Sequence, residues 1–149
     1  MKGRTLAALL GLALLFGLAA HTTRARDRLL ANRIVRQVEL LTIAAVRSGN
    51  LSPRLVAINL AALRRAAALD PAEVAIPMAR GGQFILLRRP HAAIEAYGEA
   101  LALEPRPEIY LNLARAHRAA GDAARAEEAL ARVSRLDPYL AQTPDPLRP

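Results

Sequence analysis

An all-α fold of stacked helix hairpins is what this sequence predicts, and three observations predict it. The first is composition. Of 149 residues, 53% are hydrophobic but only 3% aromatic, and the apolar share is mostly Ala and Leu, both strong helix formers. The second is a repeated phrase. AIEAYGEALALEP, ending at Pro105, is echoed by AEEALARVSRLDP, ending at Pro138, and more loosely by NLAALRRAAALDP, ending at Pro71. The third is the period: those prolines lie 34 and 33 residues apart, a spacing that marks helix-pair repeat arrays. The shortage of aromatics implies thin layers packed through small side chains.

Charge divides the chain. Residues 24–89 hold twelve Arg against four acids, whereas residues 90–149 hold seven Arg against nine acids, within a net charge of +8. The basic half therefore adjoins the N-terminal apolar stretch. It suits solvated helix faces or anionic lipid headgroups. No aromatics interleave with these arginines and no helix-turn-helix or zinc pattern accompanies them, so nucleic acid is not expected as a partner. With no cysteine, disulfides and thiolate metal sites are excluded.

MKGR is followed by sixteen uncharged residues, TLAALLGLALLFGLAA, and then by HTTRARDR. A basic start and a short apolar run fit a secretory signal. Extension through Thr22 and Thr23, with Arg24 snorkelling outward, brings the run close to the length of a spanning helix. Residues 1–23 are read as a signal-anchor or transmembrane helix that enters the membrane through residues 5–23. Arg24, Arg26 and Arg28 are placed to meet anionic lipid. Bulky Leu18 weakens the cleavage pattern ending at Ala20, which favours a retained anchor; a cleaved signal is the alternative. The flanking arginines favour a cytoplasmic C-terminal side, while the likeness to a signal favours export. The expectation adopted is a single-pass inner-membrane chain with periplasmic repeats.

Residues 24–48 form an amphipathic basic helix without Pro or Gly. Leu30, Ile34, Val38, Leu41 and Ala45 make its predicted stripe, with Arg28, Arg33, Arg36 and Arg47 off it. Gly49-Asn50 stops it. Ser52 as N-cap and Pro53 at the first helical position start the next helix, which runs to about Leu69. Asp70-Pro71-Ala72-Glu73 reads as another helix N-terminus.

At this point the chain resembles the tetratricopeptide repeat (TPR) family, whose pattern runs through a Trp, a Leu-Gly pair and a Tyr on the first helix, then Ala, Phe and a closing Pro. In residues 74–107 the corresponding positions are Pro77, Arg80-Gly81, Phe84, Ala93, Tyr97 and Pro105. Residues 107–138 supply Tyr110, Leu113-Ala114, His117, Ala126, Leu130 and Pro138, with a Gly121-Asp122 turn. Pro77 and Arg80 depart from the pattern. Residues 40–71 match weakly, through Ile43, Val46-Arg47, Asn50, Asn59, Leu63 and Pro71. The resemblance thus covers two good repeats over 72–138 and one degenerate repeat over 40–71, giving repeats across 40–138. It implies a short α-solenoid of TPR-like hairpins behind the N-terminal apolar helix. Small residues at Gly81, Ala114, Ala93 and Ala126 let helices approach. Stacking is required because one hairpin cannot bury its apolar face alone. Pro77 and Gly81-Gly82 predict a frayed or kinked helix start.

Chemistry is scarce. His21, His91 and His117 have no metal-like partner at helical spacing, and no nucleophile elbow, P-loop or metalloprotease motif occurs. His117 is expected only to pack, and His91 to be solvated. No catalytic, cofactor or metal site is expected, and the chain is not expected to be an enzyme. The resemblance implies instead a concave groove lined by first helices. Its lining would include Ala75, Met78, Gly82, Ile85 and Leu86, then Leu111, Asn112, Arg115 and Arg118. Such a surface suits an apolar protein segment with an acidic flank. The alternative is that Met78, Ile85 and Leu86 lie under the 24–48 helix. The Pro-rich tail, 139–149, is expected to be extended and mobile. The function expected is a membrane-anchored scaffold or adaptor for protein partners at a bacterial inner membrane. Its rivals are a structural accessory subunit of a membrane complex and a cleaved periplasmic adaptor.

Overall fold

The computed structural model describes residues 2–141, with side chains described for residues 21–140. The apolar N-terminal segment and its anchor reading fall outside the described side chains, and residues 142–149 of the tail lie outside the described chain. Among the described residues, seven helices follow one another: α1 (Lys2–Arg47), α2 (Pro53–Leu69), α3 (Ala75–Leu86), α4 (Pro90–Leu103), α5 (Pro107–Ala119), α6 (Ala123–Leu136) and the single turn α7 (Pro138–Ala141). None of them, among the described residues, is long and apolar enough to cross a membrane.

The punctuation is local and legible. Ser52 accepts a hydrogen bond from Leu55 N (3.2 Å) and Pro53 opens α2. Asp122 does the same for Arg125 N (3.0 Å) at the start of α6. Both satisfy N–H groups that the first helical turn leaves without a partner. Pro90 and Pro107 open α4 and α5, where a missing N–H costs nothing.

Around α3 the expectation needs correcting. Asp70 ends α2 rather than starting α3; its Oδ1 accepts from Ala72 N (3.3 Å) and holds the connecting turn. Glu73 accepts from Ala75 N (3.1 Å) instead. Because α3 begins at Ala75, Pro77 falls in its first turn, where proline is tolerated. Likewise the chain after Asp137 makes one more helical turn, α7, where the start of the tail was expected to be extended and mobile. Asp137 Oδ1 caps it by accepting from Tyr139 N and Leu140 N (both 2.9 Å).

The core has two parts that meet at α3. One joins Ala31, Val35 and Val38 of α1 to Leu63 and Ala66 of α2 and Ile76 of α3. The other joins Val74 to Ala93, Tyr97 and Ala100 of α4 and Ile109 and Ala116 of α5. The buried face of α1 is thus Ala31, Val35, Val38 and Ala45. It is rotated from the predicted stripe, and Leu30 and Leu41 remain exposed. The arginines at 28, 33, 36 and 47 are exposed as expected.

Between α3 and α4 the packing is steric. Gly81 lies beneath the Tyr97 ring, so that a Cβ there would come within 3.0 Å of three ring carbons. In the last hairpin Ala114 and Ala126 are buried with His117, while Tyr110, Leu113 and Leu130 are half-buried. Phe84 is half-buried, and the repeat-closing Pro105 and Pro138 are exposed.

The first hairpin is built differently. Ile43, Val46, Arg47 and Asn50, expected at its first-helix packing positions, are all exposed. Thr42 occupies the inter-helix contact instead. Its Oγ1 donates to Val38 O (2.7 Å) and accepts from Asn59 Nδ2 (3.1 Å) and Gln83 Nε2 (2.9 Å). Asn59 Nδ2 also donates to Gln83 Oε1 (3.2 Å). Asn59 and Gln83 are 1% and 3% exposed. One small polar network therefore locks α1, α2 and α3 together.

Candidate functional site

The predicted groove residues sit on α3 and α5, the first helices of successive hairpins. Met78, Ile85 and Leu86 are half-buried, as are Leu111, Asn112, Arg115 and Arg118. The α1 helix does not account for the burial of Met78 and Ile85. The cluster that holds the α1 core residues takes Ala75, Ile76 and Ala79 from α3, whereas Met78 and Ile85 join the cluster that contains Ile109 and Ala116 of α5. They therefore form part of the seam between two repeats, with their remaining surface turned outward.

The two arginines have different surroundings. Arg115 donates from Nη1 to Asn112 Oδ1 (3.4 Å) on the same helix. It is also close enough to Tyr97 for its charge to act on that phenol. Burial pushes the Tyr97 hydroxyl up to about 12, and Arg115 opposes the rise. Arg118 turns to the second helix of its hairpin and pairs with Glu127 Oε1 (3.3 Å). The structure thus places Asn112 and Arg115 together beside Leu111, and partly neutralises Arg118.

The repeat also generates a second class of surface that the sequence reading did not identify. A cleft of about 460 Å³ is lined by Arg80, Phe84, Ala92, Glu95, Ala96 and Glu99, together with Leu60, Arg64 and Arg89. A cleft of about 280 Å³ on the last hairpin is lined by Leu113, His117, Arg125, Glu128, Ala129 and Arg132, with Tyr110. Each of the first six residues has its counterpart 33 positions on. The period that identifies the repeat therefore also writes the same cleft twice with different charges. Arg80 and Glu99 form an ion pair in the first. In the second these positions are Leu113 and Arg132, and the pair is lost.

His117 is 7% exposed in its packing position. Its Nδ1 has no hydrogen-bond partner and lies 3.9 Å from Asp122 Oδ2. His91 is exposed in the first turn of α4. Among the described residues, no group of three or more His, Asp or Glu side chains is disposed to hold a metal ion.

No protein-family model matches the sequence, and no curated protein matches it. Solved structures do. The second TPR of Spaghetti (RPAP3), bound to the HSP90 peptide SRMEEVD, superposes with a TM-score of 0.64 at 14% identity; the match covers 78% of this chain and 99% of that one. A thermophilic TPR protein of Thermus thermophilus gives 0.58 at 24% identity, covering 87% and 69%. The Yersinia enterocolitica type III secretion translocator chaperone SycD gives 0.57 at 19% identity, covering 74% and 78%. The fold is that of a TPR solenoid, as the repeat pattern implied.

Proposed function

We infer that this chain is a protein-binding adaptor whose first helices, α3 and α5, receive a segment of a partner protein. The inference rests chiefly on the juxtaposition of half-buried Met78, Ile85, Leu86 and Leu111 with the hydrogen-bonded Asn112–Arg115 pair. Apolar side chains that keep part of their surface outward, next to a held cation, suit an apolar segment ending in acidic residues. The likeness to a TPR domain bound to the peptide SRMEEVD supports a ligand of this class. Further, we read residues 5–23 as an anchor that keeps the repeats at a bacterial inner membrane on its periplasmic side. The support for this is the basic start, the sixteen-residue apolar run and the basic flank. A permanent subunit of a membrane complex is the rival, favoured by the aliphatic residues left exposed along α1.

The test is affinity purification of the full chain in mild detergent from its native organism. The variant Arg115→Glu with Arg118→Glu is expected to lose the co-eluting protein while keeping its helical circular dichroism. Recovery of the same protein in the same amount would remove the groove from the account. Produced without its partners, a tether is expected to remain a stable species, whereas a structural subunit would degrade without its complex. The mass of the native N-terminus decides the anchor: a start near Ala20 or His21 leaves a periplasmic adaptor without one.

A further inference from the structure

The outer side of α1, away from the α3–α5 groove, exposes a row of aliphatic and basic side chains. Leu29, Leu40 and Ile43 are 66%, 62% and 48% exposed, and Arg33, Arg36 and Arg47 are exposed among them. Taken in order, 29, 33, 36, 40, 43 and 47 are separated by four, three, four, three and four residues. That alternation defines one straight seam at a period of about 3.5 residues, the spacing with which one helix meets another in a coiled coil. The seam lies opposite the buried face of Ala31, Val35, Val38, Thr42 and Ala45, so the repeats do not use it. It extends over about 27 Å of helix. A helix that is apolar on both sides is ordinarily covered on both.

The arginines identify the cover. They stand within the apolar stripe, not on its rim, and among the described residues none of the three side chains has an ion pair or hydrogen bond. Arg28, off the seam, is the one that reaches across to Asp70 (3.6 Å). A second copy of this chain would bring a stripe of the same sign, with no acid in it. A lipid surface accepts a broad apolar face edged by cations, whereas here Arg33 and Arg36 sit on the seam itself between Leu29 and Leu40, and Arg47 follows Ile43. What fits is a helix with aliphatic and acidic residues sharing one seam.

We propose that the outer face of α1, from Leu29 to Arg47, docks an acidic amphipathic helix of a partner protein. Leu29, Leu40 and Ile43 pack against the partner's aliphatic residues, while Arg33, Arg36 and Arg47 meet its Glu or Asp side chains. The contact is lengthwise and salt-sensitive.

The test uses the full chain in mild detergent and two synthetic helical peptides of about three heptads. One carries Leu and Glu along its seam, and the other has Lys in place of each Glu. Fluorescence anisotropy is expected to show binding of the Glu peptide and none of the Lys peptide, with affinity falling as salt rises. Leu40→Asp with Ile43→Asp is expected to weaken binding by about tenfold or more. Arg33→Glu with Arg36→Glu is expected to reverse the preference, so that the Lys peptide binds instead. All four side chains are exposed, and circular dichroism checks that helix content is retained. Three results would each overturn the proposal: equal binding of the two peptides or of neither; a dimer of the chain that Leu40→Asp with Ile43→Asp dissolves; or binding to anionic vesicles that needs Arg33 and Arg36 and that the Glu peptide does not displace.

Discussion

The first and middle hairpins solve one packing problem in opposite ways. Between α3 and α4 contact is made by removing atoms: Gly81 has no side chain, and the buried Tyr97 ring fills the space. Between α1 and α2 the contact is made by adding polar groups. Thr42 and Asn59 meet there, and Gln83 joins them from α3. Steric fit gives close approach but admits several sequences of similar shape. A buried hydrogen-bond network admits few, because each member left without a partner costs its desolvation. The degenerate repeat is thus the one whose register is most specifically written.

Gly81→Ala is expected to have the largest effect on stability. The added Cβ meets ring carbons of a buried side chain, so the backbone or the Tyr97 ring must shift. Overpacking of this kind costs about 3 kcal/mol, visible as a lowered thermal midpoint by circular dichroism. Tyr97→Leu in the same chain is expected to recover part of the loss, because it removes the atoms in conflict. The polar contact should show no such rescue.

Alkaline titration separates the two hairpins next. The Tyr97 hydroxyl is pushed from about 10 up to about 12 by burial. Stability from its neutral form is fully present below pH 10 and is lost as pH rises from 10 through 12, because the unfolded chain ionises first. The loss is on the order of 2–3 kcal/mol. Denaturant midpoints measured across that window are expected to fall in the wild type. They are expected to flatten in Tyr97→Phe, leaving whatever slope the other titrating groups supply.

On the polar side, Asn59→Ala is expected to cost about 2 kcal/mol, since it strips Thr42 and Gln83 of a partner inside the core. Replacing all three, as Thr42→Val, Asn59→Leu and Gln83→Leu, is expected to cost less than the single change. A double-mutant cycle between Thr42 and Asn59 measures the coupling directly. A sum of independent effects would show that the network is not a unit.

These pairs also explain what was legible in the sequence. The repeat phrase located α2, α4 and α6, because their small-residue positions recur at a fixed period and the closing prolines mark their ends. It misplaced the first helix of the first hairpin. There residues 48–52 separate the two helices, where residues 87–89 and 120–122 do so in the later hairpins, so counting back from Asn59 at the later spacing reached exposed Arg47, two positions past buried Ala45. Asn59 was visible as an anomaly in an Ala position. Nothing nearby identified its partners, because they lie 17 and 24 residues away. The α1 stripe was misjudged for a related reason: Leu and Ile occur on both sides of that helix, so periodicity alone could not say which side faces α2. The residues expected to line a groove lie on α3 and α5, while the pairing of Arg118 with Glu127 depends on geometry across the hairpin.

The turns between paired helices differ by less. Each hairpin ends its first helix with one residue in the left-handed region: Gly49 at φ 70°, Arg88 at φ 55° and Gly121 at φ 82°. In each, the next residue donates to a carbonyl five positions back: Asn50 to Ala45, Arg89 to Phe84 and Asp122 to His117, all at 2.9 Å. This arrangement satisfies helix-end carbonyls and normally uses glycine. Arg88 holds it at a cost of about 1 kcal/mol, because its Cβ crowds the backbone in that conformation. Arg88→Gly is expected to stabilise the chain by about 1 kcal/mol, and Gly121→Ala, where a Cβ would meet nothing within 4 Å, to destabilise it by a similar amount. Equal and opposite shifts in the denaturant midpoint would assign the effect to backbone conformation alone. A loss from Arg88→Gly would mean that the arginine side chain contributes more at that turn than its conformation costs.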